Sequence, residues 1–214
     1  MSNASPDELV AVVSAALADS GPQDRQLLVS TVNIARAIFG APASSVFLRS
    51  PDGESLTFEV VSGIGGEELV GTRFAADRGI VGWVAATGEP IIVQDPHANP
   101  HFAADIARMS GYIPTVIMAV PVSYADEVLG VIEVLDPQRT HPGIEDLDLL
   151  MMLAAHAGLA LRGLARHRAA RAALTDHGAK YADLAQMVGT FEQLDGPRRE
   201  AGLTLLGAVQ RLLV

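Results

Sequence analysis

The sequence predicts an α+β fold built on one antiparallel sheet. Three observations carry that expectation. Two pairs of short apolar runs are joined by turn residues: "SSVFLRS" and "SLTFEVVS" across "PDG", then "TVIMAVPVSY" and "VLGVIEVLD" across "ADE". Each pair reads as a hairpin. Helical periodicity precedes, separates and follows the hairpins, giving the order helix, helix, hairpin, helix, strand, helix, hairpin, long helix. Hydrophobic residues make up 49% of the 214 residues and charged ones 19%, enough apolar side chain for one folded core.

The elements follow in order. "SPDELVAVVSAAL" opens with a capping box, Ser5 as cap, Pro6 at the first helical position and Glu8 reaching back. "GP" at 21–22 is predicted to break the chain before a second helix from Asp24 to Phe39, which "GAP" stops. In the first hairpin Leu56, Phe58 and Val60 alternate with Thr57 and Glu59, predicting one buried and one wetter face. "GIGGEE" at 63–68 lacks the spacing and lysine of a phosphate-binding loop and reads as a flexible crossing.

"RGIVGWVAATGEPIIVQD" is then a short helix, with Asp77 as its cap and Ile80, Val81, Val84 and Ala85 on one side. Gly88 stands where a left-handed C-cap is wanted, and Pro90 forbids continuation before the strand "IIV". Trp83 reads as core filling. An irregular loop, "DPHANPHF", and a short helix, "FAADIARMSGY", lead to the second hairpin, where Pro121 signals a bulge or an unpaired position. The longest helix is predicted from near Glu145 to about Leu174. Leu147, Leu150, Ala154, Ala157, Leu161 and Leu164 form a coiled-coil-like seam, and Leu149, Leu153 and Ala160 a second apolar line. A helix apolar on two sides needs two partners, its own sheet and a second copy. Two further helical patterns, "AKYADLAQMVGTFEQL" and "REAGLTLLGAVQRLLV", follow "DHG".

Composition excludes several function classes. There is no cysteine, which removes disulfides, thiolate nucleophiles and cysteine-held zinc or chromophores and suits a reducing cytosol. The net charge of -10 repels phosphate backbones, so nucleic acid is not an expected partner. The arginines at 162, 166, 168 and 171 carry no interleaved aromatic residue and read as a solvated helix end. "LLMMLAAHAGLAL" ends at Arg162, too short for a membrane span, and "MSNASPDELV" lacks the pattern of a secretory signal; a cytoplasmic chain is expected. No GxSxG, HExxH or paired-carboxylate pattern is present, so no catalytic residue is assigned.

Arg78 to Asp95, followed by "VPVSYADEVLGVIEVLD" and "EDLDLLMMLAAHAGLAL", resembles the GAF domain, a small-molecule sensing module with a profilin-like antiparallel sheet flanked by helices. The resemblance covers residues 23–168. It implies a GAF-like domain at 23–168, which the helical patterns on either side flank with an N-terminal helix at 1–22 and a C-terminal helical extension at 169–214. It also implies a recognition pocket on one face of the sheet, part of a sensor acting in signal transduction. The cyclic-nucleotide-binding subset carries Asn-Lys after the last strand, then Phe and Asp-Glu. Here Asp136 and Pro137 stand at the first pair and Pro142 near the Phe, while Asp146 matches and Leu147 replaces the Glu. Haem-binding members place a histidine where Gly111, Tyr112 and Ile113 lie, and bilin-binding members and the methionine-sulfoxide-reducing branch use cysteine. No cofactor is expected.

On that resemblance the loop and helix from Asp95 to Tyr112 should lid the pocket. Phe102, Met109 and Tyr112 are the expected lining, His97, Asn99 and His101 the polar contacts, and Met118 and Val120 the floor. Such a mixture suits a small aromatic or heterocyclic ligand. Asp95, His97 and His101 have metal-ligand chemistry, but Pro100 prevents a helix that would stack the imidazoles, and no metal site is assigned. Glu133, inside an apolar strand, either faces solvent or places a carboxylate in the pocket, and both readings stand. The expected partners are an unidentified small molecule, a second copy of the chain and a signalling protein. The rival reading is a dimerisation scaffold on the same fold with a vestigial pocket.

Overall fold

The structure, a computed structural model, describes residues 20–138, 142–176, 196–198, 201 and 204. The Ser5–Glu8 capping box and most of the two C-terminal helical patterns lie outside the described residues. Contacts divide the chain into one unit of Pro22–Leu164 and another of Met1–Gly21 with Ala165–Val214.

In chain order the first unit holds α1 (Ser20–Phe39, which begins just ahead of it), β1 (Ala43–Arg49), β2 (Ser55–Gly63), β3 (Arg73–Ala75), α2 (Gly79–Thr87), β4 (Ile91–Val93), α3 (Ala104–Met109), β5 (Ile117–Tyr124), β6 (Glu127–Leu135) and the start of α4 (Ile144–Asp176). The strands form one six-stranded antiparallel sheet in the order β3-β2-β1-β6-β5-β4. The fold class and both hairpins are as the turn signals require. Gly21 and Pro22 lie inside α1 and do not precede it.

Strand alternation sends side chains to two cores. On one face Phe47, Leu56, Phe58, Ile117, Ala119 and Val131 pack with α2 through Ile80, Val81, Val84 and Ala85, and Trp83 packs partly buried against them. The other face is identified by a glycine: a Cβ on Gly130 would lie 2.6 Å from Leu161 Cδ2 and 1.9 Å from the Phe47 carbonyl oxygen. Ile132 and Val134, two and four residues on, therefore face α4, as do their neighbours Val120 and Met118. Leu150, Ala154, Ala157, Leu161 and Leu164 of α4, and Leu28, Val32, Ala35 and Phe39 of α1, are all buried. At Gly158 an added Cβ would lie 2.3 Å from the Ser123 carbonyl oxygen, so α4 sits directly on β5.

Three local expectations change. A bulge between Val46 and Phe47 pairs Phe47 with Phe58 but Val46 with Val60, so Val60 leaves the face that Phe58 occupies. Glu59, at the bulge, is buried and not on a wetter face. Asp77 does not cap α2; its N-cap is Arg78, without a side-chain hydrogen bond, and Gly79 turns the chain with φ 78°. Pro121 stays in register with Val131, and the irregularity falls between Val122 and Ser123. Gly88 does take the left-handed C-cap, at φ 72°, donating to the Val84 carbonyl.

The stretch Ile144–Ala169 is, by length and composition alone, long and apolar enough to cross a membrane, longer than the thirteen-residue run "LLMMLAAHAGLAL" suggested. Its inner side is occupied by this chain's own sheet, and Arg162 lies over the Tyr124 ring at 4.0 Å instead of ending in solvent.

Candidate functional site

The α2 face of the sheet carries a cavity. Its floor comes from alternate residues of the central strands, Ser45 and Phe47 on β1, Phe58 on β2, Ile117 on β5 and Glu133 on β6. One wall is the start of α2, Gly79 to Val81, and the cover is the segment from Phe102 to Tyr112, with Ile106 and Ser110 facing in. About 70 Å³ admits the centres of water-sized molecules, inside about 620 Å³ of unfilled space that includes the mouth. A single water needs roughly 10–15 Å³ on the first measure, so the cavity holds more than one or two waters.

The lining is mostly apolar, and its polar groups differ in how far they are already used. Tyr112 donates its hydroxyl to Asp136. Asp136 also accepts from Thr115 N–H at 2.8 Å, Thr115 Oγ1 at 2.7 Å and Val116 N–H at 2.7 Å. This knot ties the end of the cover to the residue that follows β6 and to the two residues that precede β5. Burial pushes the Tyr112 phenol up, and the Asp136 carboxylate adds to that, to about 12. Burial alone would raise Asp136, but the bonds from Tyr112, Thr115 and Val116 hold its carboxyl below the usual range. Ser110 Oγ donates to the Ala107 and Tyr112 carbonyls.

Glu133 is different. Its register partners are Ser45 on β1 and Ala119 on β5, so Ser45 and Glu133 stand side by side on the floor. No hydrogen bond or ion pair meets the Glu133 carboxyl among the described residues. Its remaining accessible surface opens to the cavity, and burial pushes its carboxyl up to about 7. Of the two sequence readings, the structure selects the carboxylate in the pocket.

The expected site residues separate. Phe102 and Tyr112 line the cavity. His97, Asn99 and His101 do not: both histidines are exposed, His97 edge-on to Phe102 at 5.2 Å and His101 6.3 Å from Trp83, while Asn99 Oδ1 accepts from the His101 N–H at 2.9 Å. They form the outer edge of the cover. Asp95 caps the short turn Pro96–Ala98. Met109 points to solvent at 55% exposure. Met118 and Val120 share a face, as alternation demanded, but it is the α4 face, and both are wholly buried there. Ser45, Phe47 and Phe58 were not proposed from the sequence, and Glu133 was left between solvent and the pocket. Glu133 alone carried a signal, a carboxylate within "VIEVL".

Residues 25–161 match the GAF domain family, well over half of the chain. This chain belongs to the GAF domain family. The GAF domain is a small-molecule sensing and regulatory fold, and the cavity lies on the α2 face of its sheet, opposite the face that carries Met118 and Val120. "Probable 3',5'-cyclic phosphodiesterase pde-5" of Caenorhabditis elegans is 27% identical over 147 residues, 63% of this chain and 20% of that protein. The mouse "Cone cGMP-specific 3',5'-cyclic phosphodiesterase subunit alpha'" is 39% identical over 59 residues, 28% of this chain and 7% of that protein. The chain thus spans a fifth or less of the length of these relatives.

Among solved structures, the GAF domain of a phosphoenolpyruvate-protein phosphotransferase from Coxiella burnetii superposes with TM-score 0.59 at 19% identity, covering 72% of this chain and 91% of that one. Its counterpart from Acinetobacter gives 0.57 at 21%, covering 76% and 95%. These likenesses are of fold. At the positions that a cyclic-nucleotide-binding GAF domain uses, this GAF domain puts its acids to structural work. Asp136 makes the knot just described, and Asp146 Oδ2 accepts from the Gly143 N–H at 2.9 Å at the start of α4.

Proposed function

We propose that this GAF domain is a non-catalytic, cytoplasmic sensor that binds one small molecule between the sheet and the Phe102–Tyr112 cover and works in signal transduction as a homodimer. The observation that carries the reading is the cavity itself. Interiors normally pack to crystal-like density, so room for several waters against aromatic and aliphatic walls is a feature to be filled. The cover is built to hold a closed position: Tyr112 is tied to Asp136 at one end, and Arg78 at the start of α2 pairs with Asp105 of α3 at 2.7 Å. A ligand that orders this segment would alter α2, and through the sheet the packing under α4.

The dimer part rests on exposed apolar side chains of the two long helices. Met152 and Leu159 on α4 are 64% and 62% exposed, and Leu27, Ile34 and Ile38 on α1 are also open. Leu150 and Leu161 do not belong to such a seam, because both are completely buried in the chain's own core.

Native mass spectrometry of the protein from cells, followed by thermal melting with the recovered compound, tests the reading. A stoichiometric small molecule that raises the melting temperature supports it; at a hundredfold excess over the dissociation constant the gain is about 2.7 kcal/mol. A protein that emerges empty and melts unchanged across a metabolite library is instead a scaffold with a vestigial pocket.

A further inference from the structure

Resting on the reading of the cavity as a ligand site, we infer that its ligand is a small, largely apolar amine, held by its cationic nitrogen between the Glu133 carboxylate and the Ser45 hydroxyl. Three independent features converge on this chemistry. First, the floor presents a carboxylate with no protein partner. A buried charge is expensive unless something pairs with it, and the described residues leave that partner to come from outside. Second, the site is acidic: no lysine, arginine or histidine lines it among the described residues, and the whole chain carries a net charge of -10. An anionic ligand would meet Glu133 with nothing to offset the repulsion, whereas a cation is drawn in by the field of the molecule. Third, the walls are aromatic. Phe47, Phe58, Phe102 and Tyr112 all border the space, and ring faces attract an ammonium group once water is excluded.

The position of Ser45 refines the geometry. It lies directly across from Glu133 in the β1–β6 register, so hydroxyl and carboxylate form adjacent acceptors for the three donors of a primary ammonium. Tyr112 is not free to join them, because its hydroxyl is committed to Asp136. The rest of the lining is mostly apolar, and Ser110 Oγ is already bonded to the Ala107 and Tyr112 carbonyls, which calls for a hydrocarbon or aryl body of modest size.

Phenethylamine, propylbenzene and 3-phenylpropanoate share a phenylethyl body and differ in the charge of the group it carries, and they serve as probes of the complete chain by calorimetry at pH 8. The expected result is that phenethylamine binds at least about tenfold more tightly than propylbenzene, with no detectable binding of 3-phenylpropanoate. Glu133→Gln should abolish the amine's advantage and leave propylbenzene binding as it was, and Ser45→Ala should reduce the advantage by a smaller factor. Binding of propylbenzene with no preference for the amine would overturn the amine assignment and leave the pocket standing. Failure of propylbenzene and amine alike would overturn both.

A second measurement needs no variant. The amine's advantage should shrink as pH falls below about 7, where Glu133 takes up a proton. Among the described residues, the other titratable groups that line the cavity or tie down its cover hold one charge state over that range, while His97 and His101 stand outside it at the outer edge. Tyr112 is raised to about 12 and Asp136 is held down, α2 contributes no titratable side chain, and Asp105 of α3 is paired with Arg78 at the rim. An advantage that is flat from pH 5 to 8 would count against the carboxylate as the recognising group.

Discussion

At the scale of single residues, Glu133 and Asp136 show how one side-chain type takes opposite roles three residues apart. Glu133 has burial without donors, and its folded-state pKa is raised from 4.5 to about 7. The folded state therefore holds its proton more tightly than the unfolded state does. The resulting stability is fully present below about pH 4.5 and lost as pH rises through about 7, on the order of 3 kcal/mol in all. Glu133→Gln should remove that slope, so denaturant midpoints of the variant should stay level from pH 5 to 8 while those of the parent fall. Asp136 has donors on both oxygens and a left-handed backbone, φ 47°. Its folded pKa is depressed, so its contribution is present above the ordinary carboxylate range and lost as pH falls through the folded value. Asp136→Ala strands four donors and strains the backbone, which predicts a loss of about 3 kcal/mol by chemical denaturation; Asp136→Asn, at ease in that conformation, should lose less.

Among the elements, the β5–β6 hairpin is closed by Ala125 and Asp126, with φ 48° and 65° between the paired residues Tyr124 and Glu127. Two positive φ values define the turn that matches strand twist, and alanine is a poor occupant of that conformation. Ala125→Asn with Asp126→Gly should raise stability by about 1 kcal/mol, read as a higher urea midpoint at unchanged slope. The bulge at Glu59 acts at the same scale. One extra residue in β2 puts Val61 into the cavity and turns Val60 away, a change that simple alternation along "SLTFEVVS" cannot show.

Across the whole molecule, the two faces of α4 make a sharp distinction testable. Leu150 and Leu161 are completely buried, so glutamate at either should unfold the chain, a loss above about 4 kcal/mol. Met152 and Leu159 are more than half exposed. Glutamate at both should leave the circular dichroism spectrum intact while converting the proposed dimer to a monomer in sedimentation experiments. If the parent itself sediments as a monomer at micromolar concentrations, the helix face is not a homodimer seam.

Turn chemistry and periodicity by themselves determined the α+β class, both hairpins, the Gly88 stop of α2 and the long helix α4, because each of these depends on residues close together in the chain. The presence of a pocket under the Phe102–Tyr112 cover was legible through the family resemblance, as were Phe102 and Tyr112 themselves. Which side chains make the floor was not. Alternation correctly placed Met118 and Val120 on one side of β5, but which side meets α4 depends on contacts such as Gly130 with Leu161, thirty-one residues apart in the chain. Likewise the polar loop "HANPH" has pocket-like composition, yet its histidines finish exposed, against Phe102 and Trp83, contacts that composition does not encode. A single carboxylate in an apolar strand has two faces to choose from. Only the assembly of β1, β5 and β6 around it, with α2 above, decided that Glu133 looks into the cavity.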